Sequence, residues 1–324
     1  MAAITNQVIN VNFDEIEAAS ARNVVKKMKR TTEPFDFRLI FSPTSSLLTL
    51  VSTLKNLLTT VRFQILKTDA FEGIKCDSTS PALTCMVKSR LTCSVDIDSS
   101  LNEGKRTEFS VNIDEFAQAI KATNGTNVIE IIRYRSKNKI DVVCPRSNPL
   151  KRFRIRALLQ DPVDNRLNKM DCKFQVQIRL SDFKDFCRNA STFKADTISI
   201  SIDMPAEAAK DGTTKTFIEF GAVSDSTDMT YIYDPNTKTN EKGQVIVVCD
   251  QQTTMSEYEE LKPAYKRVYT DQFSVEFLNS FFKSMEKSSI WINLTDKDGP
   301  MIVHYGLGNE SYMRLVLAPK ENVE

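Results

Sequence analysis

Side-chain catalysis needs a nucleophile, a base or a metal cluster within reach of one another, and this sequence supplies few such groups. Its only histidine, His304, lies in the apolar run from Met301 to Tyr305 and reads as a strand residue. With one histidine, a Ser–His or Cys–His pair must use that residue or not exist. Seven cysteines (Cys76, Cys85, Cys93, Cys144, Cys172, Cys187 and Cys249) form no Cys-x-x-Cys pair, and no Cys/His cluster suits zinc. Glycine-rich loops that cradle phosphate are missing too. Asp96 and Asp98 have the spacing of a solvated strand face. The expectation is a chain with no catalytic residues, no metal and no cofactor, hence not an enzyme.

What remains is charge carried on helices. Lys55 and Lys121 sit opposite the apolar stripes of two helical segments. Lys184 and Arg188 do the same on a third, and Lys283 and Lys287 on a fourth, both pairs at i, i+4. Cations repeated at equivalent places on one surface neutralise phosphates without reading bases. Asp185, Glu276 and Glu286 interrupt the pattern. Net charge is only +1, so the argument for a nucleic-acid partner rests on placement rather than bulk charge.

The elements that must position these cations recur four times as strand, amphipathic helix, strand. In the first unit Phe37–Phe41 is followed by Ser42-Pro43 as N-cap and first turn. A stripe of Leu47, Leu50, Val51, Leu54 and Leu58 comes next. The second unit begins Phe109-Ser110-Val111, has Asn112 and Glu115 at capping-box spacing, and carries Ile113, Phe116, Ala117 and Ile120. The third carries Leu180, Phe183, Cys187 and Ala190. The fourth repeats Phe-Ser-Val at Phe273–Val275 and carries Leu278, Phe281, Phe282 and Met285. The 324 residues accommodate two domains of ordinary size. Between the two halves, residues 159–171 are polar and aperiodic, as a connector would be. No run of eighteen apolar residues suggests a membrane helix. The first twelve residues lack a signal-peptide pattern, and unpaired cysteines fit a reducing compartment.

With these residues in view, the chain resembles the eukaryotic-type sliding DNA clamps, the proliferating cell nuclear antigen family. Phe277-Leu278-Asn279, Phe281 and Lys283 are similar to the last clamp helix. Gly299-Pro300-Met301-Ile302-Val303 and Tyr305 are similar to the strand after it, and Leu317-Ala318-Pro319-Lys320 to the closing motif. Phe183, Cys187 and Arg188 resemble the third helix, and Val111-Asn112 the start of the second.

The resemblance implies an α+β DNA-clamp (processivity) fold: two similar domains, each with two helices packed on antiparallel sheets, ring-forming. The domains would span residues 35–158 and 172–324, after an N-terminal extension over residues 1–34. It implies a sliding clamp, a homotrimer that encircles double-stranded DNA without regard to sequence. Lys55, Lys121, Lys184, Arg188, Lys283 and Lys287 would line the hole. The clamp would tether DNA polymerase and other clients carrying short peptide motifs, and a clamp loader would open it. The implied partner pocket takes Leu159, Val163 and Leu167 from the connector, Thr79 and Leu83 from a loop, and Pro300, Leu317, Ala318, Pro319 and Lys320. The implied subunit edges are Arg152, Phe153, Arg154 and Ile155 on one side and Met229, Tyr231 and Tyr233 on the other. An alternative is a non-encircling or heteromeric clamp-fold scaffold in repair, checkpoint control or viral transcription. The N-terminal extension, the near-neutral charge, and polar insertions over residues 205–215 and 235–264, read as surface loops, suggest a divergent member. A large DNA virus would be one source, with an intracellular location in the nucleus or a viral replication compartment.

Overall fold

Period-two runs become strands and apolar stripes become helices, in two copies of one arrangement. The computed structural model describes residues 34–80, 84–98, 107–123, 125–135, 137–147, 149–158, 170–206, 214–234, 236–240, 244–249, 252–286, 289–296 and 298–320. The first half begins β1 (Phe35–Phe41), α1 (Ser45–Leu57), β2 (Thr60–Thr68), β3 (Phe71–Thr79) and β4 (Cys85–Thr92). It continues β5 (Ser94–Ile97), β6 (Glu108–Asn112), α2 (Ile113–Lys121), β7 (Ile129–Tyr134), β8 (Lys139–Cys144) and β9 (Lys151–Arg156). The second half begins β10 (Phe174–Arg179), α3 (Leu180–Thr192), β11 (Thr197–Pro205), β12 (Thr214–Lys215), β13 (Phe217–Val223) and β14 (Asp228–Tyr233). Next come β15 (Asn236–Thr239), β16 (Val245–Cys249), α4 (Met255–Leu261) and a 3-10 turn at Lys262–Ala264. The last elements are β17 (Tyr265–Ser274), α5 (Val275–Phe282), β18 (Ser289–Leu294), β19 (Met301–Gly308) and β20 (Ser311–Leu317).

The duplication is visible in strand order. The first half contains the runs β1-β7-β8-β9 and β4-β3-β2-β6; the second contains β10-β18-β19-β20 and β14-β13-β11-β17. The halves join where β20 pairs antiparallel with β4, Leu317 opposite Cys85 and Tyr312 opposite Arg90. That seam fuses two of the runs, with β16, β15 and β12 beyond β10, into one eleven-stranded sheet. The counterparts of β20 and β4 in the other two runs are β9 and β14, and each of these ends its sheet.

The helices form one row. α1 packs against α2 and α5, and α5 against α3, in the order α2-α1-α5-α3. Side chains lace the row together: Asn56 Nδ2 donates to Ser280 O at 3.1 Å and Asn279 Nδ2 to Cys187 O at 3.2 Å. Beneath it, one apolar cluster runs through both halves. In the first half Phe63 lies 5.1 Å from Phe109 and 5.8 Å from Phe116. In the second Phe183 lies 5.4 Å from Phe220 and 5.5 Å from Phe282. Each aromatic buried this way contributes about 2–3 kcal/mol of transfer free energy.

Several local expectations change. α1 starts at Ser45 with Thr44 as N-cap, not at Ser42-Pro43, and Thr44 makes no side-chain cap hydrogen bond. Asn112 does cap α2: its Oδ1 accepts from Asp114 N at 2.9 Å and Glu115 N at 3.1 Å. α5 ends at Phe282, so Lys283 lies just past the helix rather than within an i, i+4 pair. Thr79 is the last residue of β3, not a loop residue.

The polar insertions are not plain loops. β11 runs to Pro205, and β16 pairs parallel with β10, Val247 opposite Val176. Within the second insertion Met255–Leu261 form a capped helix, with Thr254 and Glu257 in a reciprocal capping box. Tyr258 fastens this helix to the face of the β11–β13 sheet that points away from the helix row. It packs there with Phe217 and Ile232. Its hydroxyl donates to Asp203 Oδ2 at 2.7 Å, while Arg267 Nε donates to Asp203 Oδ1 at 2.9 Å and Arg267 Nη2 to Glu219 Oε2 at 2.5 Å. Burial alone would raise the Asp203 carboxyl, but the hydrogen bonds from Arg267 and Tyr258 and the Arg267 charge outweigh it and hold the group below its ordinary value.

Candidate functional site

The exposed face of the helix row is the first candidate, because four helices place their polar sides together there. Its charges are balanced. The four helices and the residue after α5 carry Lys55, Lys121, Lys184, Arg188 and Lys283 against Asp114, Glu115, Asp182, Asp185 and Glu276. Three of the expected cations have partners. Lys55 Nζ is 2.9 Å from Asp114 Oδ1 across the α1–α2 contact. Arg188 Nη2 is 2.7 Å from Asp185 Oδ1. Lys184 Nζ donates to Met285 O at 3.1 Å and ties α3 to the end of α5. Lys121 and Lys283 are exposed, with no ion-pair partner among the described residues. Lys287 lies outside the described residues.

The second candidate is a row on the opposite face of the long sheet, crossing the seam between the halves. Thr79 stands opposite Met86, Met86 opposite Val316, and Val316 opposite Ile302. Because strands alternate, Cys85, Val87, Leu315, Leu317, Met301 and Val303 point into the core, and these four point away from it. Leu317, expected at the partner surface, is 1% exposed and core-facing; its neighbour Val316 faces the other side of the sheet but is itself only 7% exposed, between the half-buried Met86 and Ile302. Backbone hydrogen bonds fix the end of the row. Ala318 N donates to Thr84 O at 3.1 Å, which pins the chain beside Pro319, and Lys320 N donates to Gln272 O at 2.8 Å. Pro300 is set by its neighbours: Thr295 Oγ1 donates to Pro300 O at 3.1 Å. Gly299 fits only as glycine, since a Cβ there would stand 2.1 Å from Thr295 Oγ1 and 2.8 Å from Asp296 O. Leu83, Leu159, Val163 and Leu167 lie outside the described residues.

Two residues further along each strand runs a polar row. Asp77 faces Lys88, Lys88 faces Arg314, Arg314 faces His304, and His304 faces Trp291. Arg314 Nε donates to His304 Nδ1 at 3.0 Å. Because the guanidinium does not give up its proton, the imidazole is held neutral with its proton on Nε2. Burial and then the Arg314 charge both pull His304 below its ordinary value. Tyr312 lies under both, 5.4 Å from the imidazole and 4.6 Å from the guanidinium carbon.

The two sheet ends are the third candidate. On β9, Phe153 and Ile155 face inward, and Lys151, Arg152, Arg154 and Arg156 are exposed. Arg154 Nε donates to the buried Asp141 Oδ1 at 2.9 Å, with Arg152 Nε 3.7 Å from Asp141 Oδ2. On β14, Met229 and Tyr231 are half-buried, and Tyr231 accepts from Asn189 Nδ2 at 3.1 Å. Tyr233 is 1% exposed, and its end of the strand is taken: Thr253 N donates to Ile232 O at 2.9 Å and Gln252 bridges Tyr233. The open stretch is therefore Asp228–Tyr231, close to Asp225 and Asp234.

Met86, Ile302, Val316, Lys88, Arg314 and Trp291 were not expected as site residues. Alternation alone could have placed each on an outward face. What it could not supply was the β4–β20 pairing that aligns them. Burial pushes the Cys76 thiol up to about 12 and raises Cys187 as well, which disfavours the thiolate at both. Among the described residues no group of three or more His, Cys, Asp or Glu is placed to hold a metal.

No protein-family model matches the chain. Among solved structures, a chain in the crystal structure of the PCNA2–PCNA3 complex from Sulfolobus tokodaii is similar, with a TM-score of 0.61 at 12% identity. The match covers 87% of this chain and 99% of that one. The fold is accordingly the α+β DNA-clamp fold, with paired helices packed on antiparallel sheets in each half.

Proposed function

We propose that this chain is a subunit of a sliding DNA clamp, a processivity factor that encircles duplex DNA and tethers DNA polymerase and other clients. The observation that carries the reading is the pair of open sheet ends. β9 and β14 correspond to β20 and β4, the two strands already joined inside the chain. The internal seam is thus a pattern for the seam between subunits: β9 of one copy beside β14 of the next. Open edges of this kind must be paired or protected. The edges are complementary in charge, with Lys151, Arg152, Arg154 and Arg156 on one and Asp225, Asp228 and Asp234 near the other. Phe153, Met229 and Tyr231 are apolar groups that a neighbour would cover. Repeating this contact head to tail closes a ring when the rotation fits, and three copies supply six similar halves.

In such a ring the helix row faces the hole. Lys121 and Lys283 meet phosphates directly, and the paired Lys55 and Arg188 contribute less. Loose, sequence-independent contact suits a ring held on DNA by topology rather than affinity. Clients dock on the apolar row Thr79–Met86–Val316–Ile302 beside Pro300, Ala318 and Pro319, which raises their effective concentration at the primer end. A divergent homotrimer of viral origin, needing a loader and working in the nucleus or a viral replication compartment, fits this reading.

The balanced helix face favours a second reading, a heteromeric or non-encircling clamp-fold scaffold. Light scattering over a range of concentrations separates the two. A mass near three times 36.7 kDa, with retention on nicked circular DNA that linearising the DNA abolishes, supports the encircling clamp. A persistent monomer, or DNA retention indifferent to linearisation, overturns it.

A further inference from the structure

The polar row beside the apolar row narrows the chemistry of the client. Rows two residues apart on one face of a strand are about 7 Å apart. A bound segment that places apolar anchors on Met86, Val316 and Ile302 therefore carries its next side chains over Lys88, Arg314, His304 and Trp291. That row holds two cations, Lys88 and Arg314, and one acid, Asp77. Asp77 already pairs with Lys75, Nζ to Oδ2 at 3.0 Å. Arg314 is exposed and donates its Nε, one of its five N–H groups, to His304. Lys88 is half-buried and has no acidic partner among the described residues. Arg90, in the neighbouring row, lies over the Phe71 ring at 3.9 Å and reaches Glu310 only at 3.8 Å. The guanidinium is also oriented in advance by His304 and Tyr312, which lowers the ordering cost of meeting a carboxylate.

We infer that the segment recognised by this groove is an acidic one: a short peptide whose apolar anchors are flanked, within two extended residues or one helical turn, by Asp or Glu that pairs with Arg314 and Lys88. The inference rests on the client-groove reading above. An apolar row next to the cations favours a peptide over a nucleic-acid strand, which would leave the half-buried Met86 and Ile302 uncovered.

The test uses the full-length chain and three synthetic peptides with identical aliphatic and aromatic anchors. Their flanks are Asp-Glu, Ser-Gly or Lys-Arg, and a single-stranded oligonucleotide serves as the fourth probe. Trp291 is the only tryptophan in the chain and lies in the cation row, so its emission reports on binding there without a label. The expected result is that the acidic-flank peptide binds roughly tenfold more tightly than the basic-flank one in low salt. The preference should fade at high salt and disappear in a Lys88→Ala, Arg314→Gln variant whose melting temperature is unchanged. Equal binding of all three peptides, or a preference for basic flanks, with both abolished by Met86→Asp, overturns the acidic preference and leaves the groove standing. If no peptide binds, the groove reading fails and the inference with it. Oligonucleotide binding that depends on Lys88 and Arg314, without any peptide preference, assigns the row to nucleic acid and also overturns it.

Discussion

Lys55 Nζ and Asp114 Oδ1 are 2.9 Å apart, one on α1 and the other in the first turn of α2. The pair is partly exposed, so its contribution to stability is small, about 0.5 kcal/mol. Its effect on the helix face is larger, because it withholds a cation from any phosphate there.

Asp114→Asn and Asp185→Asn together release Lys55 and Arg188. The double variant should bind duplex DNA several-fold more tightly at low salt, with a steeper salt dependence, as each freed cation adds roughly one to the slope. Lys121→Glu with Lys283→Glu should do the reverse and shorten retention on nicked circular DNA. Fluorescence anisotropy across a salt series measures both. Identical slopes in all three proteins would remove the helix row from DNA binding.

Phe153→Asp places a charge at a half-buried position within β9. The expected outcome is loss of the oligomer at micromolar concentration, seen as a fall in light-scattering mass, with the circular dichroism spectrum unchanged. Val223→Asp, at an exposed residue of β13, should leave the mass as it is.

The docking of α4 depends on one titrating cluster. Asp203 sits below its unfolded value, so its contribution is complete above about pH 4 and is lost as pH falls through that range toward the folded value. Tyr258→Phe removes the hydroxyl donor and should cost about 1 kcal/mol. A melting series should show wild type and Asp203→Asn separated at neutral pH and converging in acid. A constant gap would mean that the carboxylate charge contributes nothing.

Gly299→Ala forces a Cβ against Thr295 and the Asp296 carbonyl and must displace the turn carrying Pro300. Stability should fall by about 1–3 kcal/mol. Binding of an anchor peptide to the groove should weaken more than that of a Gly306→Ala control, which has open space around it.

His304 gives a single imidazole titration in the whole chain. Its folded value is depressed, so stability is highest above the unfolded value of about 6.5 and declines as pH falls below it. Proton NMR should show one midpoint below 6.5. Arg314→Gln removes the nearby charge, one of the two causes of the depression, and should move the midpoint upward; an unmoved midpoint would leave burial as the only cause.

Much of this architecture was legible because it is local. The stripe Leu47-Leu50-Val51-Leu54 specifies α1, and Asn112 specifies where α2 begins, whatever the rest of the chain does. The alternation of Phe153, Ile155 and Ala157 marked one edge strand, whereas Met229–Tyr233 was named only through the family resemblance. The outward rows were hidden because their meaning depends on register between β4 and β20, more than two hundred residues apart, where a slip of one residue exchanges the faces. The pairing of Lys55 with Asp114 was hidden for the same reason: it requires knowing that α1 and α2 are neighbours. α4 was a different kind of miss. Its polar composition looked like a loop, yet Thr254 and Glu257 have capping-box spacing and Tyr258 is the aromatic that would dock it.

The open stretches of β9 and β14 are unlike each other, one basic and one flanked by acids, so under the proposed pairing like edges would not meet and copies of the chain would follow one another in a single sense. An assembly closed that way has a front and a back. In the proposed ring every Met86–Val316–Ile302 row would open toward the same side, and a client bound there would be carried with a fixed orientation relative to the direction of travel.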